Sequence, residues 1–414
     1  MTQLLASLLL EQAANNRHGI TMLPQTAQLS YSDVPNLFHV GVPASTSEKW
    51  KSASGGVAYS QQDAQLAAIA ESIERYTATV SPLPTKKISS IDPKQLITAE
   101  SFSLFSDQQR ATPNFPFHAL YTDCPYTNVY DFFTNKECWA PHALVALRDD
   151  YATGVPTSSG LAAAETAHKA LLRAIQELIE RDGLMSTWLH SLPGRLIQTP
   201  TYITSQTKPL DARVYCFDLT PAYSPFPVIA VAGGIKKQGK WRYSLGVACR
   251  EDAASATQKA YLEWCQGVFF AGIYPLYVDT SDITKNMQLR SFDQHAIYYT
   301  LHPKQWWGLP FFKDLRTLHT IQTPGRVMPV NQALKIVKEA LHKAKIAIYY
   351  RPLTTVDSLQ AGVHVVRAIS PHLAPIFAHD QWPYVGGTVP NIAMRYPHIT
   401  AKTTFPNTMP HPLG

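Results

Sequence analysis

Two pentapeptides in the 414-residue chain repeat the same charges at the same spacing: Glu71-Ser-Ile-Glu74-Arg75 and Glu177-Leu-Ile-Glu180-Arg181. Each member of the second lies 106 residues after its counterpart. On a helix, positions i, i+3 and i+4 share a face, so each pentapeptide sets two carboxylates and a guanidinium side by side. Packed against one another, two such helices bring four carboxylates and two arginines to one cleft. Like charges in a poorly solvated site repel, so four carboxylates there call for a cation. Mg2+ suits them, because it takes carboxylate oxygens, keeps part of its water shell and is commonly completed by substrate phosphates. Arg75 and Arg181 then offer planar, bidentate donors to those phosphates. One such pentapeptide alone is more often a solvated ion-pair face. Two in matched surroundings argue for a site, and each follows a small-residue stretch, Ser54-Gly55-Gly56 or Ser158-Ser159-Gly160. A weaker third copy is Gly246 followed by Glu263 and Gln266, since Gly160 to Glu177 and Gly246 to Glu263 are both 17 residues. Neither GxxxxGK[ST] nor GxGxxG occurs, so any nucleotide site is of another kind.

The elements that must position these side chains are legible in the apolar periodicity. Recurrence at three- and four-residue intervals predicts helices over Gln61–Ala78, Ala163–His190, Ala254–Ala271 and Asn331–Ala344. In the first, Leu66, Ile69, Ile73 and Tyr76 form a stripe away from the charged trio; in the second, Leu171, Ala174, Ile175 and Leu178 do. Short β-rich runs lie at Val214–Phe217, Val228–Val231 and Ile346–Tyr350. The class this implies is α+β with a mixed sheet and repeated strand-turn-helix units around a cleft.

Composition narrows the function. Hydrophobic residues are 45% and charged ones 16%, which excludes disorder and coiled coil. A net charge of +6, gathered in no basic run, gives nucleic-acid binding no support. The five cysteines are scattered and never paired as CxxC, and the 15 histidines show no HExxH, so neither a disulfide framework nor an imidazole-held metal is expected. Leu4 to Leu10 is too short to span a bilayer and reads as the first helix of a cytoplasmic protein.

The paired segments, Gly55-Gly56 to Glu71-xx-Glu74-Arg75 and Ser158-Ser159-Gly160-Leu161-Ala162-Ala163 to Glu177-xx-Glu180-Arg181-Asp182, resemble the two glutamate-rich signatures of the YcaO superfamily. The likeness runs from about Val40 to the end and takes in Asp218-Leu219-Thr220, the Glu263/Gln266 helix, Tyr349-Tyr350-Arg351 and Val365 to Pro371. It implies residues 1–40 as an N-terminal helical extension, 41–400 as an ATP-binding catalytic domain and 401–414 as a proline-bearing tail. It further implies Mg2+ on Glu71, Glu74, Glu177 and Glu180, phosphates on Arg75 and Arg181, and Glu263 nearby. The tail, with Pro406, Pro410 and Pro412, is similar to those of azoline-forming cyclodehydratase D subunits of thiazole/oxazole-modified peptide biosynthesis. Proline fixes φ and favours an extended strand, which suits a tail threading into a cleft to deliver the Gly414 carboxylate as a base.

Several positions depart from the family pattern: Ala67 and Ala162 stand where serine is usual, Lys169 and Arg173 where Glu and Gln are, and Phe270 where an Arg is expected. The glycine-rich turn also lacks a common Lys. Lys169 and Arg173 either substitute direct phosphate contacts for a metal-mediated one, which places them among the ATP-binding residues, or mark a weakened site. The implied reaction closes a Cys, Ser or Thr side chain onto the preceding amide of a precursor peptide, with ATP-dependent phosphorylation of the amide-derived oxygen and net loss of one water. Implied partners are a separate leader-binding subunit, zinc-bearing or E1-like, the precursor peptide, and a flavin-dependent dehydrogenase where azolines are oxidised; a homodimer within a complex is a further expectation. The alternatives are thioamide or amidine formation on the same fold, and a non-catalytic scaffold subunit.

Overall fold

The computed structural model describes residues 3–15, 17, 19–27, 34–43, 53–286, 289–321, 328–400 and 403–414. Three sheets build the frame. The first has order β1-β2-β3, with β1 Gln25–Thr26, β2 Phe38–Val42 and β3 Ser54–Ala58. The second comprises β4 Thr85–Lys86, β5 Tyr126–Asp131, β6 Glu137–Pro141, β7 Leu161–Ala164, β12 Tyr349–Pro352 and β13 His364–Ile369, in the order β4-β5-β12-β13-β7 with β6 on β5. The third has order β11-β10-β9-β8, from β8 Arg195–Ile197, β9 Ala212–Asp218, β10 Val228–Lys237 and β11 Lys240–Cys249. The helices of ten residues or more among the described residues are α1 Gln3–Gln12, α2 Gln61–Val80, α3 Ala167–Leu189, α4 Ala253–Tyr277, α5 Phe292–Leu301 and α6 Val330–Lys343. No helix of the described residues is long and apolar enough to cross a membrane.

One arrangement recurs in all three sheets: β3, β7 and β11 are each the terminal strand of their sheet, and each leads through a short turn into a long helix, α2, α3 or α4. The turns end on strong N-caps, Ser60, Thr166 and Asp252, whose side chains accept from the amides of Asp63, Lys169 and Ser255. Glycine lets strand and helix touch, since a Cβ on Gly56 would lie 2.1 Å from the Ala64 carbonyl and one on Gly246 2.1 Å from that of Ala260. The apolar faces close over separate cores. Ile69 and Ile73 of α2 pack with Leu161 and Val365; Ile175, Ile179 and Trp188 of α3 join the largest cluster; Trp264 and Val268 of α4 lie with Ile229 and Val231.

The structure departs from the sequence reading in four places. Every ladder within the sheets is antiparallel rather than mixed, with parallel pairing confined to isolated bridges such as Leu96 with Trp139. Ala163 and Ala164 belong to β7, paired with Val365 and His364, because the Thr166 cap starts the helix later than its alanine-rich approach suggests. Helix α4 runs six residues past Ala271, through Pro275 to Tyr277. Ile346 and Ile348 are buried in the core ahead of β12, which begins only at Tyr349.

Candidate functional site

Glu71, Glu177 and Glu263 each stand ten residues after the first residue of their helix, Gln61, Ala167 and Ala253. The same turn of each helix therefore meets the same end of its strand. Three residues on come Glu74, Glu180 and Gln266, and next to these Arg75, Arg181 and Gly267. The strands' outward amides hold the acids. Gly55 N–H donates to Glu71 at 2.9 Å and Val247 N–H to Glu263 at 3.3 Å, each within its own strand–helix unit. The second acids reach across: Glu74 accepts from the Ala163 amide of the next unit, and Glu180 from Cys249 N–H at 3.1 Å in the one after. Gln266 completes the circuit, with its Nε2 2.6 Å from where a Gly55 Cβ would stand. Three units thus interlock in a ring.

The ring encloses a cavity of about 750 Å³. The residues expected from the sequence to bind metal or ATP or to act as base all line it: Glu71, Glu74, Arg75, Lys169, Arg173, Glu177, Glu180, Arg181, Glu263 and Gly414. Ala67, Ala162 and Phe270 line it too. Arg75 pairs with Glu71 at 3.2 Å, and Arg181 lies 3.5 Å from both Glu177 and Glu180. Lys169 pairs with Glu165 at 2.7 Å and Arg173 with Glu251 at 3.0 Å. In the tail, Pro410 to Leu413 are buried and Pro412 to Gly414 line the cavity wall. Tyr299 donates to the Pro410 carbonyl at 2.6 Å, and the imidazoles of His295 and His411 stack with centroids 3.8 Å apart. Ala401 and Lys402, at the start of the predicted tail, lie outside the described residues.

Burial governs the electrostatics. It pushes the Glu74 carboxyl up to about 8 against the pull of Arg75, with Glu177 and Glu71 adding to the rise. Glu180 is pushed up to about 8 in the same way, opposed by Arg181 and reinforced by Glu263 and Glu177. Glu177 is also raised by burial, though Arg181, Arg75 and Arg367 counter it. Arg75 and Arg181 lose to burial but gain more from the surrounding glutamates, which hold both above the ordinary guanidinium value.

Among the described residues no three His, Cys, Asp or Glu side chains form a ready metal cluster; each acid is drawn instead to an arginine or a strand amide. The donor set nevertheless fits Mg2+, because it is all carboxylate oxygen and burial, reinforced by mutual repulsion, pushes Glu74 and Glu180 towards retaining protons that a cation can replace. A divalent ion held there would displace those protons and free the arginines for anions.

Residues the sequence reading passed over complete the walls: Glu165, Arg250, Lys259 and Asp293. Lys259 was discoverable, since it sits four residues before Glu263 and pairs with it at 3.2 Å. Asp218 and Thr220, part of the family likeness, lie away from the cavity; Asp218 ends β9, pairs with Arg195 and caps the Thr220 amide. Arg367, on β13, is buried and gives its guanidinium to the carbonyls of Val145, Ser159 and Thr157, which fixes the turn leading into β7.

Comparison with known proteins places the chain at both family and fold level. The YcaO family model, described as an ATP- and Mg2+-binding cyclodehydratase, matches residues 55–374, and the chain belongs to that family. A heterocyclase solved in complex with substrate and cofactor has the same fold at a TM-score of 0.76 and 18% identity, over 99% of this chain and 57% of its own. The chain thus spans little more than half the length of that heterocyclase. The YcaO protein of Methanopyrus kandleri, bound with AMPPCP and Mg2+, aligns at 0.62 and 13% identity, over 94% of this chain and 91% of its own. The E. coli microcin synthetase McbBCD complex with pro-MccB17 bound contributes a chain aligned at 0.61 and 15% identity, over 87% of this chain and 90% of that one. No protein of curated function matches the sequence.

Proposed function

We propose that this chain catalyses ATP- and Mg2+-dependent cyclodehydration of Cys, Ser or Thr side chains in a ribosomally made precursor peptide, yielding thiazoline or oxazoline rings. The observation that carries this reading is the convergence of both Glu-x-x-Glu-Arg segments, from helices more than 80 residues apart in sequence, on one cavity that also receives the tail. Glu71, Glu74, Glu177 and Glu180 hold Mg2+, and Arg75, Arg181, Lys169 and Arg173 face phosphates, with Glu263 oriented by Lys259 beside them. Bound ATP supplies the phosphoryl group that turns the amide oxygen into a leaving group. The chain's own part is positioning and charge neutralisation, which dominate catalysis of phosphoryl transfer. The substrate thiol or hydroxyl adds to the preceding amide carbon as the Gly414 carboxylate takes its proton, the phosphorylated oxygen leaves as phosphate, and the nitrogen gives up its N–H proton to solvent as the C=N bond forms. One water is lost overall.

The likeness to a synthetase chain solved in a complex supports a partner subunit; we propose that this partner is zinc-bearing or E1-like and binds the leader of the precursor. A flavin-dependent dehydrogenase follows where azoles are the product, and the setting is cytoplasmic, with the chain as a homodimer within a complex. The test is calorimetric titration of Mg2+-ATP into the full chain and into Glu71→Gln and Glu180→Gln, followed by mass spectrometry of the precursor incubated with chain and partner. Binding by the wild type alone, and a loss of one water mass per ring matched by one phosphate released, is the expected result. Absence of nucleotide binding even with the partner present establishes the scaffold alternative; exchange of oxygen for sulfur in the peptide identifies thioamide formation.

A further inference from the structure

The third strand–helix unit breaks the ring's pattern in a compensating way. Where α2 and α3 carry Arg75 and Arg181, the matching residue of α4 is Gly267, and a Cβ there would stand 2.0 Å from Ser244 Oγ. Ser244 belongs to β11, so the strand occupies the space a guanidinium fills in the other two units. Two residues before the helix cap the substitution runs the other way. The first two units have Ala58 and Ala164, two before Ser60 and Thr166, whereas the third has Arg250, two before Asp252. Ala164 and Arg250 both line the cavity, so in the second and third units this position faces the site.

Arg250 also differs from the other cations of the wall in what it touches. Arg75, Arg181, Lys169, Arg173 and Lys259 each have a carboxylate within salt-bridge distance. Among the described residues Arg250 has none; its Nη1 donates to the Cys249 carbonyl at 2.6 Å, leaving the rest of its fork for other acceptors. Burial lowers the Arg173 guanidinium, and the nearby charge of Arg250 lowers it further. Two adjacent guanidiniums, one lacking a carboxylate, facing a cavity are an arrangement that an anion stabilises.

We propose that Arg250, with Arg173 beside it, is the seat of the nucleotide's terminal phosphate, a guanidinium moved from the helix to the strand end in the third unit. This rests on the nucleotide reading above. Arg75 and Arg181 are committed to their own helices' glutamates until a metal releases them, while Arg250 is available before any ligand arrives. It therefore discriminates between nucleotides with and without the outer phosphates.

The experiment titrates the full chain, wild type, Arg250→Ala and Arg250→Lys, with ATP, AMP and inorganic tripolyphosphate, each with Mg2+, and follows binding by calorimetry and by the ligand-induced shift in melting temperature. Loss of a charge-assisted pair predicts that Arg250→Ala weakens ATP and tripolyphosphate by about ten- to a hundredfold while AMP is bound as by the wild type. Arg250→Lys, which keeps the charge and loses the fork, falls between. Equal affinity of the wild type and Arg250→Ala for ATP and tripolyphosphate overturns the assignment and leaves the nucleotide reading standing. Tripolyphosphate binding that depends on Arg250, without ATP binding, supports the anion seat and overturns the nucleotide reading; a wild type that binds neither overturns both. Should Arg250→Ala fail to give a native melting transition, Arg250→Gln carries the same comparison.

Discussion

Arg181 and Asp182 are consecutive on α3, and their surroundings could hardly differ more. Asp182 points into the core and is fully satisfied: Arg395 bonds it at 2.7 Å, the Tyr223 hydroxyl donates at 2.6 Å and the Ala374 amide at 2.7 Å. Arg395 spends its remaining donors on the carbonyls of Thr388 and His372. Both partners of this pair are 0% exposed. Arg181 instead faces the cavity at 3.5 Å from each of two glutamates, at the long end of an ion-pair contact. A saturated buried network fixes shape; an unsaturated one keeps capacity for a ligand.

The sharpest way to break this comparison is to truncate each arginine. Arg395→Ala strands a buried carboxylate and costs about 3–5 kcal/mol of unfolding free energy in denaturant titration. Arg181→Ala costs less than half of that, because Glu177 and Glu180, already inclined to keep protons, take them up when the cation goes. Equal losses would erase the distinction between the two networks.

A second effect is in pH. Glu74 and Glu180 have folded values of about 8 against an ordinary 4.5, so between those limits the native state binds more protons than the unfolded chain. Stability contributed by the protonated acids is then present at low pH and declines as pH rises from about 4.5 towards 8. Melting temperatures recorded across that range should fall for the wild type and flatten for the Glu74→Gln, Glu180→Gln double variant. A wild-type profile as flat as the variant's would show that the acids are ionised throughout. Mg2+, which competes with those protons, should bind more tightly as pH rises.

The smallest effect is expected at Lys169. Its pair with Glu165 is partly exposed, so Lys169→Gln should change stability by less than about 1 kcal/mol while weakening Mg2+-ATP binding severalfold. Unchanged affinity in calorimetry would reduce Lys169 to a surface ion pair.

These contrasts also mark what the sequence could disclose. Both Glu-x-x-Glu-Arg trios and the helices that carry them are legible because helical period is a local signal, whereas the alanine-rich approach to the second helix hides the Thr166 cap that starts it. The convergence of Lys169, Arg173, Glu263 and the tail on one cavity follows once the family likeness supplies a fold. Asp182 with Arg395 is illegible, since 213 residues separate them and nothing near either one implies the other. Arg250 escapes for a related reason: its meaning comes from comparison with Ala58 and Ala164, and that equivalence requires the strand ends and helix caps to be superposed in space. The antiparallel order of the sheets is likewise a property of long-range pairing, which short β-rich runs do not encode.

The position of β3, β7 and β11 at the margins of their sheets has a consequence for the chain in solution. An unpaired strand margin is a template on which another polypeptide can add itself. Here the outward amides of Gly55, Ala163, Val247 and Cys249 are already occupied by Glu71, Glu74, Glu263 and Glu180. Carboxylates that line the cavity therefore occupy the strand-margin amides to which another polypeptide would add, and three of them, Glu71, Glu74 and Glu180, are among the acids placed around the metal in the proposed function.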